Sequence, residues 1–203
     1  MSDAPSYTHL FTLPGWQGSG EQHWQMRWAR LYGDSVVEQH DWMQPLRGDW
    51  ITRLEDTVQK QLSQHPNQRL AFVAHSLGCH LLAAWAALSP NVQHVLGAFL
   101  VAPPDVARAD LPPQLHSWRK PALNKLPFKT LLMASTDDPF SSLDAAEVLA
   151  AQWGATLINV GARGHINAES GLADWPEGRA MLQSILQNTS TKTTSKITSP
   201  YRN

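Results

Sequence analysis

The chain has 203 residues, a length that suits one domain with a full hydrophobic core. Hydrophobic residues make up 42% and charged residues 16%, and the formal net charge of −1 leaves no basic footprint for nucleic acid or an anionic membrane. A single cysteine, Cys79, excludes an internal disulfide, and no leader pattern or membrane-length apolar run is visible, so a cytoplasmic protein without a membrane span is expected.

In chain order, His9 to Leu13 reads as a short strand that runs into the glycine-rich loop Pro14-Gly15-Trp16-Gln17-Gly18-Ser19-Gly20. A helix from about 22 to 32 follows, with Trp24, Trp28 and Leu31 at helical spacing and therefore expected in the core. Ser35 to Glu38 reads as a second strand. Trp50, Leu54, Val58 and Leu62 recur every four residues, an amphipathic helix stopped by His65-Pro66-Asn67. Leu70 to Ala74 is a third strand, and an Ala/Leu/Trp-rich helix covers 78 to 88.

A fourth strand spans Val95 to Ala102. Six of the fourteen prolines then fall between Pro103 and Pro127, which prevents a long regular helix and predicts an irregular excursion over the mouth of a site. Thr130 to Ser135 is a fifth strand, 143 to 153 a helix, Ala155 to Val160 a sixth strand, and 175 to 187 a last helix. The Ser/Thr/Lys-rich tail, 188–203, is expected to lack structure, which leaves a single domain over 1–187. Strands alternating with helices predict an α/β fold with a doubly wound, mainly parallel sheet of about six strands, and ligands outside the strands' carboxyl ends.

The chemistry centres on Ala74-His75-Ser76-Leu77-Gly78. A strand that breaks at a four-residue turn and resumes as a helix is the context of the nucleophile elbow, G-x-S-x-G, with Ala74 in place of the first glycine. A nucleophilic Ser76 needs a base, an orienting acid and an oxyanion hole. In the α/β-hydrolase order of Ser, acid, His, the fifth strand leads into Asp137-Asp138-Pro139-Phe140 and the sixth into Gly164-His165-Ile166. Asp138, which opens an Asp-Pro turn, is favoured over Asp137, a solvated or capping neighbour. His165 is favoured over the other eight histidines because glycines flank its loop after a strand. His75 and His80 are neighbours of the nucleophile rather than bases.

The oxyanion hole is expected from the backbone N–H groups of Leu77 and Trp16, with Gly15 permitting close approach. Gly15, Trp118, Phe140 and Ile166 are candidates for the substrate pocket, with Trp16 beside them, although each aromatic or aliphatic member could equally be core. The loop spacing G-x-x-G-x-G does not match a dinucleotide fingerprint. No zinc pattern is present, no cofactor is called for, and Cys79 reads as a small packed residue.

These residues resemble a known family. Leu13 to Ser19 with His23-Trp24, Ala74 to Gly78, Leu126-Pro127-Phe128, Ser135 to Phe140, and Gly164 to Asn167 with Ser170-Gly171 and Trp175 are similar to the small serine hydrolases grouped with retinoblastoma-binding protein nine and the bacterial YdeN-type proteins. The likeness runs from about residue 8 to 187. It implies a minimal α/β-hydrolase without a separate lid domain and a triad at Ser76, Asp138 and His165. It supplies a reaction type rather than a substrate. Pocket-protein binding does not carry over, because Leu77-Gly78-Cys79-His80-Leu81 is an L-x-C-x-L without the required glutamate.

The expected function is a serine hydrolase that cleaves a small carboxylic ester, thioester or amide through an acyl-enzyme on Ser76. The alternative is a hydrolase fold with an idle triad that serves as a protein-binding module. The expected partner is a small-molecule acyl substrate.

Overall fold

Buried side chains alternate along the strands, and the two alternating sets face different helices. Leu10, Ala71, Val73, Phe99, Val101 and Met133 belong to one apolar cluster, whereas Phe11, Leu13, Phe72, Ala74, Leu100 and Leu132 belong to the other. A period of two with both faces buried is the mark of a parallel sheet covered on each side. The computed structural model describes residues 8–190. In it β1 (Thr8–Leu13), β2 (Ser35–Val36), β3 (Arg69–His75), β4 (Val95–Val101), β5 (Lys129–Ala134) and β6 (Thr156–Asn159) form one sheet in the order β2-β1-β3-β4-β5-β6, with every pairing parallel.

Five α-helices flank it among the described residues: α1 (Trp24–Tyr32), α2 (Arg47–Gln64), α3 (Leu77–Ala86), α4 (Leu143–Trp153) and α5 (Pro176–Ser190). Trp24 and Trp28 of α1 pack with Leu182 and Ile185 of α5 on one face, while Trp50, Leu54 and Val58 of α2 pack with α3 and α4 on the other. The chain steps outward from β1 to β2, then passes back over β1 to β3 and runs on to β6. Right-handed crossovers put the one outward step, α1, on the face opposite the others. The reversal falls between β1 and β3, and the crevice at their carboxyl ends is where ligands bind in such sheets. No helix among the described residues is long and apolar enough to cross a membrane.

The α/β-hydrolase architecture expected from the sequence is therefore the one observed. Several details differ. The second strand has two residues rather than four, since beyond Val36 only the Val37 N–H continues the ladder, to Thr12 O at 2.9 Å. Leu31 shares the helical spacing of Trp24 and Trp28 yet is 55% exposed, because the last turn of α1 lies by this short edge strand, with too little sheet to cover it. The 103–127 segment holds one 3₁₀ turn, Pro113–Trp118. The last helix continues to Ser190, three residues into the segment expected to lack structure, and the rest of that tail lies outside the described residues.

Candidate active site

β3 ends in a sharp reversal. Ser76 sits between β3 and α3 at φ 54° and ψ −125°, a conformation that side chains rarely adopt, and its N–H is tied to Val101 O of β4 at 2.9 Å. Such an elbow lifts the hydroxyl clear of strand and helix. The room for it comes from glycines. A Cβ on Gly78 would lie 2.3 Å from Leu13 O, so the small residue after the serine is demanded by the end of β1 as it passes beneath α3. Gly15 lies against Ser76 itself.

Ser76, His165 and Asp138 are brought into one row. His165 Nε2 is 2.9 Å from Ser76 Oγ, and His165 Nδ1 is 3.0 Å from each carboxylate oxygen of Asp138. The Asp138 side chain is 3% exposed, and Phe140 N–H donates to its Oδ1 at 2.9 Å. The Nδ1–H bond to a buried carboxylate selects the tautomer whose Nε2 is free to take the serine proton. Phe140 stacks edge-on over the imidazole, ring centroids 4.6 Å apart.

Trp16 and Leu77 also reach the surroundings of Ser76. Leu77 opens α3, so its N–H has no carbonyl one turn back within the helix and stands at the positive end of the helix dipole. The backbone N–H of Trp16 finds no acceptor among the described residues, while the neighbouring Gln17 N–H binds Trp42 O at 3.0 Å and the Trp16 indole binds Met43 O at 3.1 Å. Both residues line a cavity of about 640 Å³ that opens over Ser76. The first part of the proline-rich segment supplies a wall of Leu111, Pro112 and Leu115 with the charged Asp105, Arg108 and Asp110 beside them, and Phe140 and Gly15 line the cavity too.

Two pocket candidates stand elsewhere. Trp118 is buried behind that wall, its indole N–H donating to Pro45 O at 2.6 Å and its ring edge-on to Trp50. Ile166 has φ 49°, which turns its fully buried side chain into the Trp24 and Trp175 cluster instead of toward Ser76. Both take the core role that the sequence left open for them.

Sequence reasoning missed the residues that hold the His165 loop and the switch point. Trp24 packs in the core as expected, and its indole N–H also donates to Ile166 O at 2.8 Å. His75 Nε2–H donates to His165 O at 2.9 Å. Burial, with His23 and His165 alongside, holds the His75 imidazole well below its ordinary pKa, so it is a neutral strut rather than a base. His23 caps α1 through Nδ1 and is likewise pushed down, to about 4, by burial and by its neighbour His165. Gln25 is fully buried and spans β1 and β3 through Leu13 O and Val73 O at 3.1 and 3.3 Å. Its signal was a glutamine between two tryptophans on an otherwise apolar helix face.

Burial raises the Cys79 thiol far above its ordinary range, which removes it as a second nucleophile. No group of three His, Cys, Asp or Glu suited to a metal ion occurs among the described residues.

A family model described as serine hydrolase matches residues 10–184. A protein assigned as a YdeN-like hydrolase, from Pectobacterium atrosepticum, superposes with a TM-score of 0.75 at 26% identity, covering 90% of this chain and 92% of its own. The ydeN gene product of B. subtilis gives 0.70 at 22% identity over 89% and 100% of the two chains. Est1E from Butyrivibrio proteoclasticus, solved with ferulic acid bound, gives 0.67 at 10% identity over 95% and 92%, a likeness of fold. No match was found among curated proteins.

Proposed function

The chain belongs to the serine hydrolase family, and from that premise we propose that it cleaves a small carboxylic ester, thioester or amide through an acyl-enzyme on Ser76. Ser76 Oγ attacks the acyl carbon as its proton passes to His165 Nε2. The carbonyl oxygen, now an oxyanion, is taken by the N–H groups of Trp16 and Leu77, and Asp138 stabilises the imidazolium. Collapse breaks the bond to the leaving group, which receives the proton from His165. Water then repeats the sequence, releasing the acid and restoring Ser76.

The observation that carries this reading is the unbroken hydrogen-bonded row from Ser76 Oγ through His165 to the buried Asp138, set at the floor of an open cavity. In this reading the leaving group lies beside His165, which must protonate it and whose loop contributes Asn167 and Glu169, and the acyl chain lies toward Leu111 and Leu115. An apolar acyl group on a polar leaving group fits that division.

Intact mass after treatment with a fluorophosphonate probe tests the reading on wild type and Ser76→Ala. One adduct, mapped to Ser76 and absent from the variant, is expected. A folded protein that takes no adduct would favour the idle fold used as a binding module.

A further inference from the structure

Two aspartates follow β5, and the mechanism above uses only Asp138. Asp137 reaches the same loop from its other side. Its Oδ1 accepts the Gly164 N–H at 2.7 Å and lies 2.7 Å from Ser135 Oγ. That hydroxyl has one proton for two acceptors, Asp137 Oδ1 and the more distant Gly161 O at 3.0 Å, and it accepts the Arg163 N–H at 2.9 Å. Two successive N–H groups just before His165 are thus gripped by one carboxylate and its serine. The Ser135 hydroxyl and the Gly164 N–H hold the Asp137 carboxyl below its usual range, so it is ionised throughout the working pH range.

The loop needs such an anchor. His165 is flanked by Gly164 at φ 55° and Ile166 at φ 49°, left-handed residues in a turn whose own closure is the Ile166 N–H bond to Arg163 O at 3.2 Å. Beyond His165 the backbone is tied by the His75 bond to His165 O and the Trp24 bond to Ile166 O. Ahead of it, Asp137 and Ser135 hold the Gly164 and Arg163 N–H groups to the end of β5, while Ser170 Oγ, from the same loop, donates to Arg163 O at 2.6 Å.

We infer that Asp137 is a positioning residue for the hydrolysis: through Gly164 and Ser135 it fixes the backbone on which His165 stands, so that the imidazole meets Ser76 and Asp138 at once. The inference rests on the reading of His165 as the base. Adjacent aspartates then divide one task, Asp138 aligning the ring and Asp137 the chain that carries it.

The test uses the full chain as wild type, Ser76→Ala, Asp137→Ala and Asp137→Asn. Fluorophosphonate labelling, p-nitrophenyl acetate turnover and the downfield His165 Nδ1–H proton resonance are followed. Failure of wild type to label at Ser76 would refute the parent reading, and the anchor falls with it. With wild type labelling, Asp137→Ala should lower kcat and the labelling rate about 10- to 100-fold, the scale of a 1 Å misplacement of a catalytic group. KM should stay within about 2-fold, on the same argument that substrate contacts are unchanged. The His165 resonance should broaden or shift. Asp137→Asn keeps an acceptor for the Gly164 N–H and should recover most of the loss. Wild-type labelling with an unchanged resonance in Asp137→Ala would overturn the inference. So would a loss of kcat that matches the fraction of unfolded protein, with the folded remainder labelling at the wild-type rate.

Discussion

A methyl group on Gly15 would stand 2.7 Å from Cβ of Ser76 and 3.1 Å from its Oγ. The loop after β1 therefore touches the elbow after β3 at the Ser76 side chain itself, and only the missing side chain of Gly15 leaves room for it. Ser76 cannot retreat, because its N–H is bound to β4 and its backbone is already at φ 54°. Gly15→Ala is expected to lower kcat about 100-fold with little change in KM, as the displaced Oγ loses its line to His165. Steady-state kinetics with a p-nitrophenyl ester measures it, and a wild-type kcat would show that the elbow yields freely.

Gly78→Ala should fail differently. Its Cβ would meet Leu13 O at 2.3 Å and Pro14 O at 2.9 Å, backbone atoms at and just past the end of β1, so α3 or β1 must shift. A destabilisation of at least about 1–3 kcal/mol is expected from overpacking alone. Urea unfolding monitored by tryptophan fluorescence would read it. A midpoint equal to wild type would mean that α3 is less firmly seated than its nine buried residues indicate.

Buried neutral histidines predict an acid-labile fold. His23 and His80 are both pushed by burial from 6.5 to about 4, while the unfolded chain's histidines bind protons near the ordinary value. Between those limits the unfolded state holds more protons, so stability is complete above about pH 6.5 and is lost as the pH falls toward 4, by up to about 1.4 kcal/mol per pH unit for each group. His80 Nε2 binds Pro104 O at 2.8 Å, and His80→Gln can keep a donor there without a titrating ring. Urea midpoints from pH 7 to about 4.5 should decline less steeply in that variant. Parallel slopes would show that His80 is already protonated in the fold.

Phe140 and Trp118 offer a contrast between cavity and core. Phe140 is 47% exposed on the cavity wall, and Trp118 is 2% exposed behind it. Phe140→Ala should raise KM for p-nitrophenyl esters of every chain length from acetate to octanoate, because its ring faces His165, beside which the leaving group lies, and should leave the chain-length preference as it is. Trp118→Phe should leave that preference unchanged and cost about 1 kcal/mol or more of stability through the lost bond to Pro45 O. A Trp118 variant with altered chain-length preference would move that residue back into the pocket.

Much of this arrangement was legible in the sequence because local chemistry carries it. The elbow announces itself through a strand that stops at a small-residue turn, and His165 through a glycine-flanked loop after a strand. What periodicity reports is burial, and burial does not separate a cavity wall from the core behind it. Trp118 and Ile166 are both apolar and near the site, and only the backbone turn at Ile166 and the indole bond of Trp118 decide which way they face. Asp137 and Gln25 stood out as residues, but what they bind did not. Their partners are backbone groups of Gly164, Leu13 and Val73, which every sequence possesses and none displays. The second strand was read at the right place but two residues too long, because a sheet edge has no partner on its far side to impose a pattern.

The strand order has a consequence for biosynthesis. In the proposed mechanism the oxyanion donors are residues 16 and 77, the nucleophile 76, the acid 138 and the base 165, and the loop of the last follows β6, at the edge of the sheet remote from β2. As the chain emerges from the ribosome, the four inner strands can pair while the base is still untranslated. Nascent or truncated chains that stop before 165 would carry a formed elbow with no means of activating it. With that mechanism, hydrolytic activity would report completion of the sheet, and a premature, half-folded chain would have no base with which to acylate itself.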